Sequence, residues 1–228
     1  MPRSELSAPE IEAFRQRLCE VAGELFAQHG HEGVTLRAIA RELGCSPMTP
    51  YRYFRDKTEI FAAVRAAAFR RLAEVQETAF ESTDEPEVRL GALADAFVAT
   101  ARREPHTYRL MFGMTLPGGV APRELAAGEV SSELARDRER AFEPMRRAVV
   151  LAIEDGRLAG DPDAVARLFW AGFHGLISLE LAGGLPEGGH DAETSDPIRL
   201  DALVSPMEDA LIEGNRPRNR RRRSRGFT

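Results

Sequence analysis

The stretch Thr35-Leu-Arg-Ala-Ile-Ala-Arg-Glu-Leu-Gly-Cys-Ser-Pro-Met-Thr-Pro-Tyr-Arg-Tyr-Phe54 predicts two short helices joined by a sharp turn. Thr35 is a favourable N-cap, because its hydroxyl can accept a backbone N–H from the first turn of the first helix. Gly44 can adopt the left-handed conformation that ends that helix. Ser46 and Pro47 provide a second N-cap and a first helical residue. The stretch therefore predicts a helix-turn-helix whose second helix begins at Pro47.

The second helix of such a motif normally enters the major groove of DNA. If the second helix begins at Pro47, directly after its N-cap Ser46, the side chains that point outward are those of Met48, Thr49, Arg52 and Tyr53. Pro50 then falls at the fourth helical position, where its missing N–H removes about one hydrogen bond. Two local structures fit that proline: a helix that opens with a 3₁₀ turn, and a helix in a slightly shifted register.

The bulk composition limits the class of protein. With 228 residues, 43% of them apolar and 29% charged, the chain can form one sizeable helical core or a small domain fused to a larger one. No run approaches the roughly eighteen apolar residues that a membrane helix requires, and the N-terminus lacks the apolar segment of a secretion signal. Cys19 and Cys45 fit no metal site or disulfide framework. We therefore expect a cytoplasmic protein with no membrane segment, metal or cofactor.

Charge is distributed unevenly along the chain. The net charge is −5, yet residues 35–57 carry five cations against two anions, which leaves +3 there. The C-terminal tail carries seven arginines, and without them the chain stands at −12. An acidic body with a locally basic helix pair suits the docking of one face onto phosphates. The tail itself can grip DNA non-specifically or remain solvated, as charge runs usually do.

Helical periodicity continues through the rest of the chain. The first helix is predicted from about residue 8 to His29, ending at Gly30. Asp56 and Glu59 form a capping box that begins a long helix reaching about residue 81. No segment has strand periodicity, so the fold class is predicted as all-α. The remaining predicted helices are 86–103, 107–112, a segment ending near 155 with a possible bend at Pro144, an apolar helix after Asp161-Pro162, and 198–212.

Residues at fixed offsets form a recognisable pattern across positions 20–64: Phe26, Gly30, Gly33, Thr35, Ile39, Ala40, Gly44, Ser46, Tyr51-Arg-Tyr-Phe54 and Lys57. In this pattern, residues 20–64 resemble the N-terminal domain of tetracycline-repressor-like (TetR family) transcriptional regulators. The resemblance implies a homodimeric all-α repressor with an N-terminal helix-turn-helix domain and a larger C-terminal domain for ligand binding and dimerisation. On this basis we expect domains at 8–56 and 57–213, followed by a disordered Arg-rich tail at 214–228. Trp170, His174 and Gly175 give a shorter match to the C-terminal class named for its Trp-His-Gly pattern.

The resemblance also implies roles for individual residues. Arg37, Met48 and Thr49 are expected to meet bases, Met48 through a thymine methyl group. Arg52 is expected at the same DNA surface. The alternative makes Tyr51 and Phe54 core residues and leaves Arg37 and Arg52 solvated, and for Phe54 we prefer the core. The residues expected to contact phosphates are Thr35, Ser46, Tyr51, Tyr53 and Lys57.

The C-terminal domain offers candidate ligand contacts and a dimer surface. The candidates share an apolar or aromatic side chain, apart from His174, the one titratable group in its apolar run. All of them also fit an ordinary core, and a hydrogen-bonded core histidine is the favoured alternative for His174. Any inducer should be mostly apolar, and residues 163–213 should pair with a second copy as a four-helix interface. The candidates are Phe97, Tyr108, Met111, Phe112, Phe142, Met145, Trp170 and His174.

Two other classes of function compete with a DNA-binding regulator. No Gly-x-Ser-x-Gly elbow, phosphate-binding glycine loop, HExxH or paired-carboxylate signature indicates an enzyme, and His29-x-His31 is a poor metal site. A helical adaptor of the same fold that does not bind DNA is the stronger rival, although Arg37, Tyr53 and Lys57 argue against it. The sequence therefore predicts a non-enzymatic regulator of double-stranded DNA, most simply a repressor released by an apolar inducer.

Overall fold

The computed structural model of the protein describes residues 7–113 and 132–183. Within these two ranges the secondary structure is helical and includes no strand, which confirms the predicted all-α class. In the same ranges no helix is long and apolar enough to cross a membrane. The helices are α1 (Ala8–Gly33), α2 (Leu36–Glu42), a 3₁₀ helix (Pro50–Arg52), α3 (Lys57–Glu81), α4 (Pro86–Arg103), α5 (Pro105–Phe112), α6 (Ser132–Glu154) and α7 (Pro162–Leu181).

Helix α1 begins and bends where the sequence indicates. The Glu10 carboxylate accepts hydrogen bonds from both the backbone N–H and the hydroxyl of Ser7, each at 2.7 Å. Gly30 has a φ of 69°, a left-handed conformation that interrupts the helical path. Helical structure resumes for one turn and reaches Gly33, so α1 is four residues longer than predicted and is kinked at the predicted end.

The turn of the helix-turn-helix motif has the predicted geometry. The Thr35 hydroxyl accepts the N–H of Ala38 at 3.1 Å, which confirms the N-cap of α2. At the other end Gly44 has a φ of 66°, and the N–H of Cys45 donates to the Ala40 carbonyl at 2.9 Å. The N–H of Gly44 donates to the Arg41 carbonyl. These two bonds are the Schellman pattern that a left-handed glycine permits.

The predicted second α-helix from Pro47 is wrong in its local structure. Residues 47–49 form turns, and a single turn of 3₁₀ helix follows at Pro50–Arg52. Two of its bonds span three residues, from the N–H of Arg52 to the Thr49 carbonyl and from that of Tyr53 to the Pro50 carbonyl, and the N–H of Phe54 also donates to the Pro50 carbonyl at 3.0 Å. Pro50 has no N–H to give to the carbonyl of residue 46, so an α-helix starting at Pro47 lacks its first internal bond. We call residues 46–54 the reading segment.

The cap of α3 differs slightly from the predicted capping box. Asp56 accepts the N–H of Glu59 through Oδ1 at 2.8 Å, as predicted. The Glu59 carboxylate, however, accepts the N–H of Arg55 at 2.6 Å, one residue before the cap. The carboxylate also lies 3.8 Å from the Arg55 guanidinium. This ion pair favours the hydrogen bond to the N–H of Arg55 over one to the N–H of Asp56.

The chain divides into two compact units, and the boundaries fall within α3, α4 and α6. The first unit contains the described residues up to 75 and those between 99 and 142. Its central core joins α1, α2 and the reading segment to α3 and α5. The buried members of this core, which we call the helix-turn-helix core, are Leu18, Ala22, Phe26, Val34, Leu36, Ile39, Phe54, Ile60, Phe61, Val64 and Leu110.

The second unit contains residues 76–98 and the described residues from 143 onward. Gln76 is buried and donates through its side-chain amide to the Leu93 carbonyl at 3.2 Å. Phe80 lies between two guanidinium groups, those of Arg89 at 4.4 Å and Arg147 at 3.9 Å. Such cation–π stacking at the end of α3 stabilises the unit.

The later helices agree with their sequence signals. Helix α6 continues through Pro144, so the predicted bend there remains a prediction. Asp161 caps α7 by accepting the N–H of Ala164 at 2.9 Å, as predicted. The predicted helix 198–212 and the Arg-rich tail both lie outside the described residues. The domain boundary predicted at residue 56 also remains a prediction.

Candidate nucleic-acid interface

The reading segment presents one outward side and one buried side. Met48 is 67% exposed and Tyr51 is 51% exposed, and Arg52 also lies in solvent. Pro50 is buried and Phe54 is 2% exposed. The core assignment of Phe54 is therefore confirmed, whereas the alternative that placed Tyr51 in the core is wrong. A single turn of 3₁₀ helix is enough to separate these two sides.

Thr49 and Tyr53 were both predicted to point outward. In the structure each is half-buried, so the prediction holds only in part for these two residues. The Tyr53 ring packs on the Phe14 ring of α1 with a centroid distance of 4.6 Å and an interplanar angle of 32°. Its backbone carbonyl accepts a hydrogen bond from Arg15 at 2.7 Å. The end of the reading segment is therefore fastened to the beginning of α1.

Arg15 is a site residue that sequence reasoning missed. Its guanidinium lies 4.3 Å from the centroid of the Phe54 ring while one of its nitrogens binds the Tyr53 carbonyl. The hydrogen bond spans 38 residues of sequence. No spacing rule connects positions so far apart, although a Phe14-Arg15 pair beside the apolar stripe of α1 is the feature that could have suggested it.

Lys57 is held at the junction between α1 and α3. Its ammonium group donates a hydrogen bond to the His31 carbonyl at 2.8 Å. The His31 ring lies against the rings of Phe26 and Phe61, at centroid distances of 5.7 and 5.0 Å. Nε2 of His31 is buried and has no hydrogen-bond partner among the described residues, and Nδ1 lies 3.0 Å from the Glu32 carboxylate. Lys57 thus has a structural partner in addition to the phosphate role expected of it.

The remaining expected DNA contacts lie at accessible positions. Arg37 on α2 and Ser46 at the start of the reading segment are exposed, as is Thr35. The Thr35 hydroxyl is already used by its own helix cap, and the Ser46 hydroxyl lies 3.4 Å from the N–H of Met48. Each of these exposed residues carries a polar or cationic group of a kind that can meet phosphates and base edges.

The eight expected ligand residues divide between the two units. Tyr108, Met111, Phe112 and Phe142 belong to the first, and the rings of Tyr108 and Phe112 are 4.7 Å apart. The other four belong to the second unit, where the rings of Phe97 and Trp170 are 5.3 Å apart. The four residues of the second unit are Phe97, Met145, Trp170 and His174.

Burial changes the titration of two of these residues. It raises the pKa of the Tyr108 hydroxyl above its ordinary value, because the phenolate form loses its hydration. It lowers the pKa of the half-buried His174 imidazole for the corresponding reason, since the imidazolium is the charged form there. Burial therefore favours the neutral form of each side chain.

A polar groove in the first unit was not predicted from the sequence. The groove has a volume of about 890 Å³ and is lined mainly by α1, α3 and the α4–α5 junction. Six glutamates and four arginines are among its lining residues. None of the eight expected ligand residues lines it. Cys19 lies in this groove, and burial raises the pKa of its thiol to about 12, so it is not a reactive thiolate.

Helix α2, the turn at Gly44 and the exposed side of the reading segment define the class of the protein as one with a helix-turn-helix motif. Comparison with known proteins specifies the class further. The profile described as "Bacterial regulatory proteins, tetR family" matches residues 18–64, and the one described as "Tetracyclin repressor-like, C-terminal domain" matches residues 90–203. The chain belongs to the tetracycline-repressor family of DNA-binding transcriptional regulators. The Trp-His-Gly class of C-terminal domain remains a prediction.

Individual relatives agree with this assignment. The HTH-type transcriptional regulator Rv1816 of Mycobacterium tuberculosis is 28% identical over 222 residues, which cover 89% of this chain and 94% of the relative. A protein of unknown function from Rhodococcus sp. RHA1 has a similar structure, with a TM-score of 0.73, 26% identity, and coverage of 95% of this chain and 100% of that one. The fatty acid degradation regulator FadR from Bacillus halodurans shares the fold, with a TM-score of 0.67, 14% identity, and coverage of 91% and 97%.

Proposed function

We propose that the protein is a homodimeric repressor whose operator binding is released by a small, mostly apolar molecule. The observation that carries this proposal is the position of α5. This eight-residue helix contributes Leu110 to the helix-turn-helix core and also contains Tyr108, Met111 and Phe112 of the expected ligand set. A ligand that displaces α5 therefore acts directly on the core that supports the reading segment.

The contacts of α5 with α3 make this coupling stiff. Arg65 of α3 donates through two guanidinium nitrogens to the Met111 carbonyl, at 3.1 and 2.8 Å. Phe69, also on α3, packs edge-on against Phe112 at 5.5 Å. Helix α3 itself supplies Ile60, Phe61 and Val64 to the helix-turn-helix core. Because packed cores switch between discrete arrangements rather than deform continuously, a shift of α5 reaches the reading segment.

The chemistry of the expected ligand residues favours an apolar ligand. The rings of Tyr108 and Phe112 pack together in the first unit, as do those of Phe97 and Trp170 in the second. Burial favours the neutral forms of Tyr108 and His174. A structural neighbour is named for fatty acid degradation. We therefore propose a long-chain acyl compound as the first inducer to test.

Dimerisation is proposed from the uncovered side of α7. Leu168 and Leu179 are each 47% exposed. Gly175 lies between them at helical spacing, and no atom of the described residues lies within 4 Å of the position that a Cβ would take there. A face of leucines and small residues allows a second helix to approach closely. We propose that a second copy covers it, with residues 163–213 forming the interface.

The dimer sets the geometry of operator binding. Two reading segments must lie about one helical turn of DNA apart, roughly 34–36 Å. A ligand that changes this separation lowers operator affinity, and by linkage the operator lowers ligand affinity by the same factor. We propose base contacts for Arg37, Met48 and Thr49. We propose further DNA contacts, mainly with phosphates, for Thr35, Ser46, Tyr51, Arg52, Tyr53 and Lys57.

The rest of the proposal concerns organisation and location. We propose domains at 8–56 and 57–213, followed by an Arg-rich tail at 214–228 that stays solvated. Truncation at Glu213 should then leave DNA affinity unchanged. Operator binding requires the compartment that holds the DNA, so we propose a cytoplasmic location. Neither a catalytic step nor a metal forms part of the proposed function.

A mobility-shift titration on the DNA upstream of the protein's own gene tests the proposal. We expect a discrete shifted band that long-chain acyl compounds reverse, and a much weaker shift on a random duplex of equal length. A shift that no apolar compound affects would contradict ligand release. No shift on either duplex would instead favour the helical adaptor.

A further inference from the structure

Arg15 fastens the end of the reading segment to α1. Its Nη1 donates to the Tyr53 carbonyl at 2.7 Å, and its guanidinium covers the Phe54 ring at 4.3 Å. Phe14, the preceding residue, packs its ring on that of Tyr53 at 4.6 Å. We refer to Phe14 and Arg15 together as the α1 clamp.

The reading segment needs support from outside because it contains only one helical turn and therefore few backbone hydrogen bonds of its own. Pro50 removes a donor, and the structure is one turn of 3₁₀ helix instead of several turns of α-helix. The carbonyl groups at the end of such a helix have no internal partner. Arg15 supplies that partner for Tyr53, and its side chain is 30% exposed, so water competes only partly.

We infer that Arg15 is a positioning residue for DNA recognition, which fixes the orientation of the reading segment without itself contacting DNA. The inference rests on the proposed operator binding. Met48, Thr49 and Tyr51 precede Tyr53 by only two to five positions, so a loosened Tyr53 carbonyl changes the direction of their side chains. Base recognition depends on that direction, whereas non-specific attraction to phosphates depends mainly on charge.

The test compares Arg15→Ala with the wild type in titrations of the full chain against upstream and random duplexes at several salt concentrations. We expect upstream affinity to fall about tenfold or more, because a charge-assisted hydrogen bond and a ring contact are lost. Random-duplex affinity and the slope of log affinity against log salt should stay unchanged. A slope smaller by about one unit would show a direct phosphate contact and would overturn the inference.

Arg89→Ala is the matched control, since Arg89 makes the same kinds of contact in the second unit. Its guanidinium lies 4.4 Å from the Phe80 ring, and Nε donates to the Phe80 carbonyl at 2.9 Å. This variant should lose thermal stability yet keep its preference for the upstream duplex. An equal loss of preference in both variants would mean that general destabilisation explains the effect, which also overturns the inference.

Two further results keep the test decisive. Arg15→Gln retains an amide donor for the Tyr53 carbonyl without the charge, so it should keep more of the upstream preference than Arg15→Ala, and it replaces that variant if Arg15→Ala does not fold. If the wild type binds neither duplex, the proposed function fails. If the wild type prefers the upstream duplex and both Arg15 variants match it, the positioning role alone fails.

Discussion

The Lys57 ammonium group donates a hydrogen bond to the His31 carbonyl, 2.8 Å away. This bond ties the first residue of α3 to the turn that follows the kink of α1 at Gly30. It leaves two of the three ammonium donors of Lys57 for other partners. A lysine fixed in this way can present its charge to a phosphate with little further loss of side-chain freedom.

Replacing Lys57 should affect all DNA alike. We expect Lys57→Ala to weaken upstream and random duplexes by the same factor and to lower the salt slope by about one unit, because one phosphate contact is lost. Salt-dependent anisotropy titrations measure both quantities. Arg71→Ala is the control, since it removes one partly exposed charge farther along α3 and should leave the slope unchanged. A normal slope in Lys57→Ala would restrict that residue to its bond with His31.

The turn of the helix-turn-helix should depend on Gly44. Its φ is 66°, and among residues 7–113 and 132–183 no atom lies within 4 Å of the position that a Cβ would take, so a Cβ there meets backbone strain without a clash against these residues. We expect Gly44→Ala to lower the free energy of unfolding by about 1 kcal/mol. Gly44→Asn should lose less, because asparagine tolerates the left-handed region. Equal stability of all three proteins in urea unfolding would show that the strain is absent.

The proposed dimer can be tested at Gly175. We expect the wild type to sediment as a dimer at micromolar concentration and Gly175→Leu to shift toward monomer, because the leucine holds the two α7 helices apart. Within the part of one chain that the structure describes, a Cβ at this position meets no atom within 4 Å. Glu154→Leu, which adds the same side chain at an exposed position of α6, should remain dimeric. A monomeric wild type would refute the interface.

The lowered pKa of His174 predicts a pH dependence of stability. The unfolded chain takes up a proton near the ordinary histidine pKa of about 6.5, and the folded chain does so only at lower pH. The unfolded state therefore binds more protons between these values, and stability falls as the pH drops through that window. We expect His174→Gln to reduce the difference in melting temperature between pH 7.5 and pH 5.5. An unchanged difference in melting temperature would contradict the assignment of this pH dependence to His174. The stability of each protein at pH 8.0, where histidine is neutral in both states, serves as the reference.

The caps and turns of this fold could be predicted because their causes are local. Thr35, Gly44 and Asp161 act on residues within five positions of themselves, and each does what its residue type favours. The long amphipathic stripes likewise predicted the all-α class. Glu59 was predicted to accept the N–H of Asp56, but it accepts that of Arg55. The attraction between the Glu59 carboxylate and the Arg55 guanidinium depends on side-chain positions that the sequence does not give.

The site was predicted less completely because parts of it are assembled from distant sequence. The sequence shows that Pro50 lacks the N–H that a regular helix needs at this position. How far the missing donor shortens the helix depends on how the proline packs, and Pro50 is buried in the structure. The hydrogen bond from Arg15 to Tyr53 joins residues 38 positions apart. The bond from Lys57 to His31 joins residues 26 apart, and it ends on a carbonyl group that every residue possesses. Such contacts follow from packing and leave no motif.

The central claim is that the outward side of the reading segment selects the DNA sequence. The most direct measurement is the ratio of upstream to random-duplex affinity for the wild type and for Met48→Ala, since Met48 is 67% exposed and contributes little to the core. We expect the substitution to lower this ratio about five- to 150-fold, the effect of about 1–3 kcal/mol at one base contact, with random-duplex affinity unchanged. A ratio equal to that of the wild type would contradict the claim.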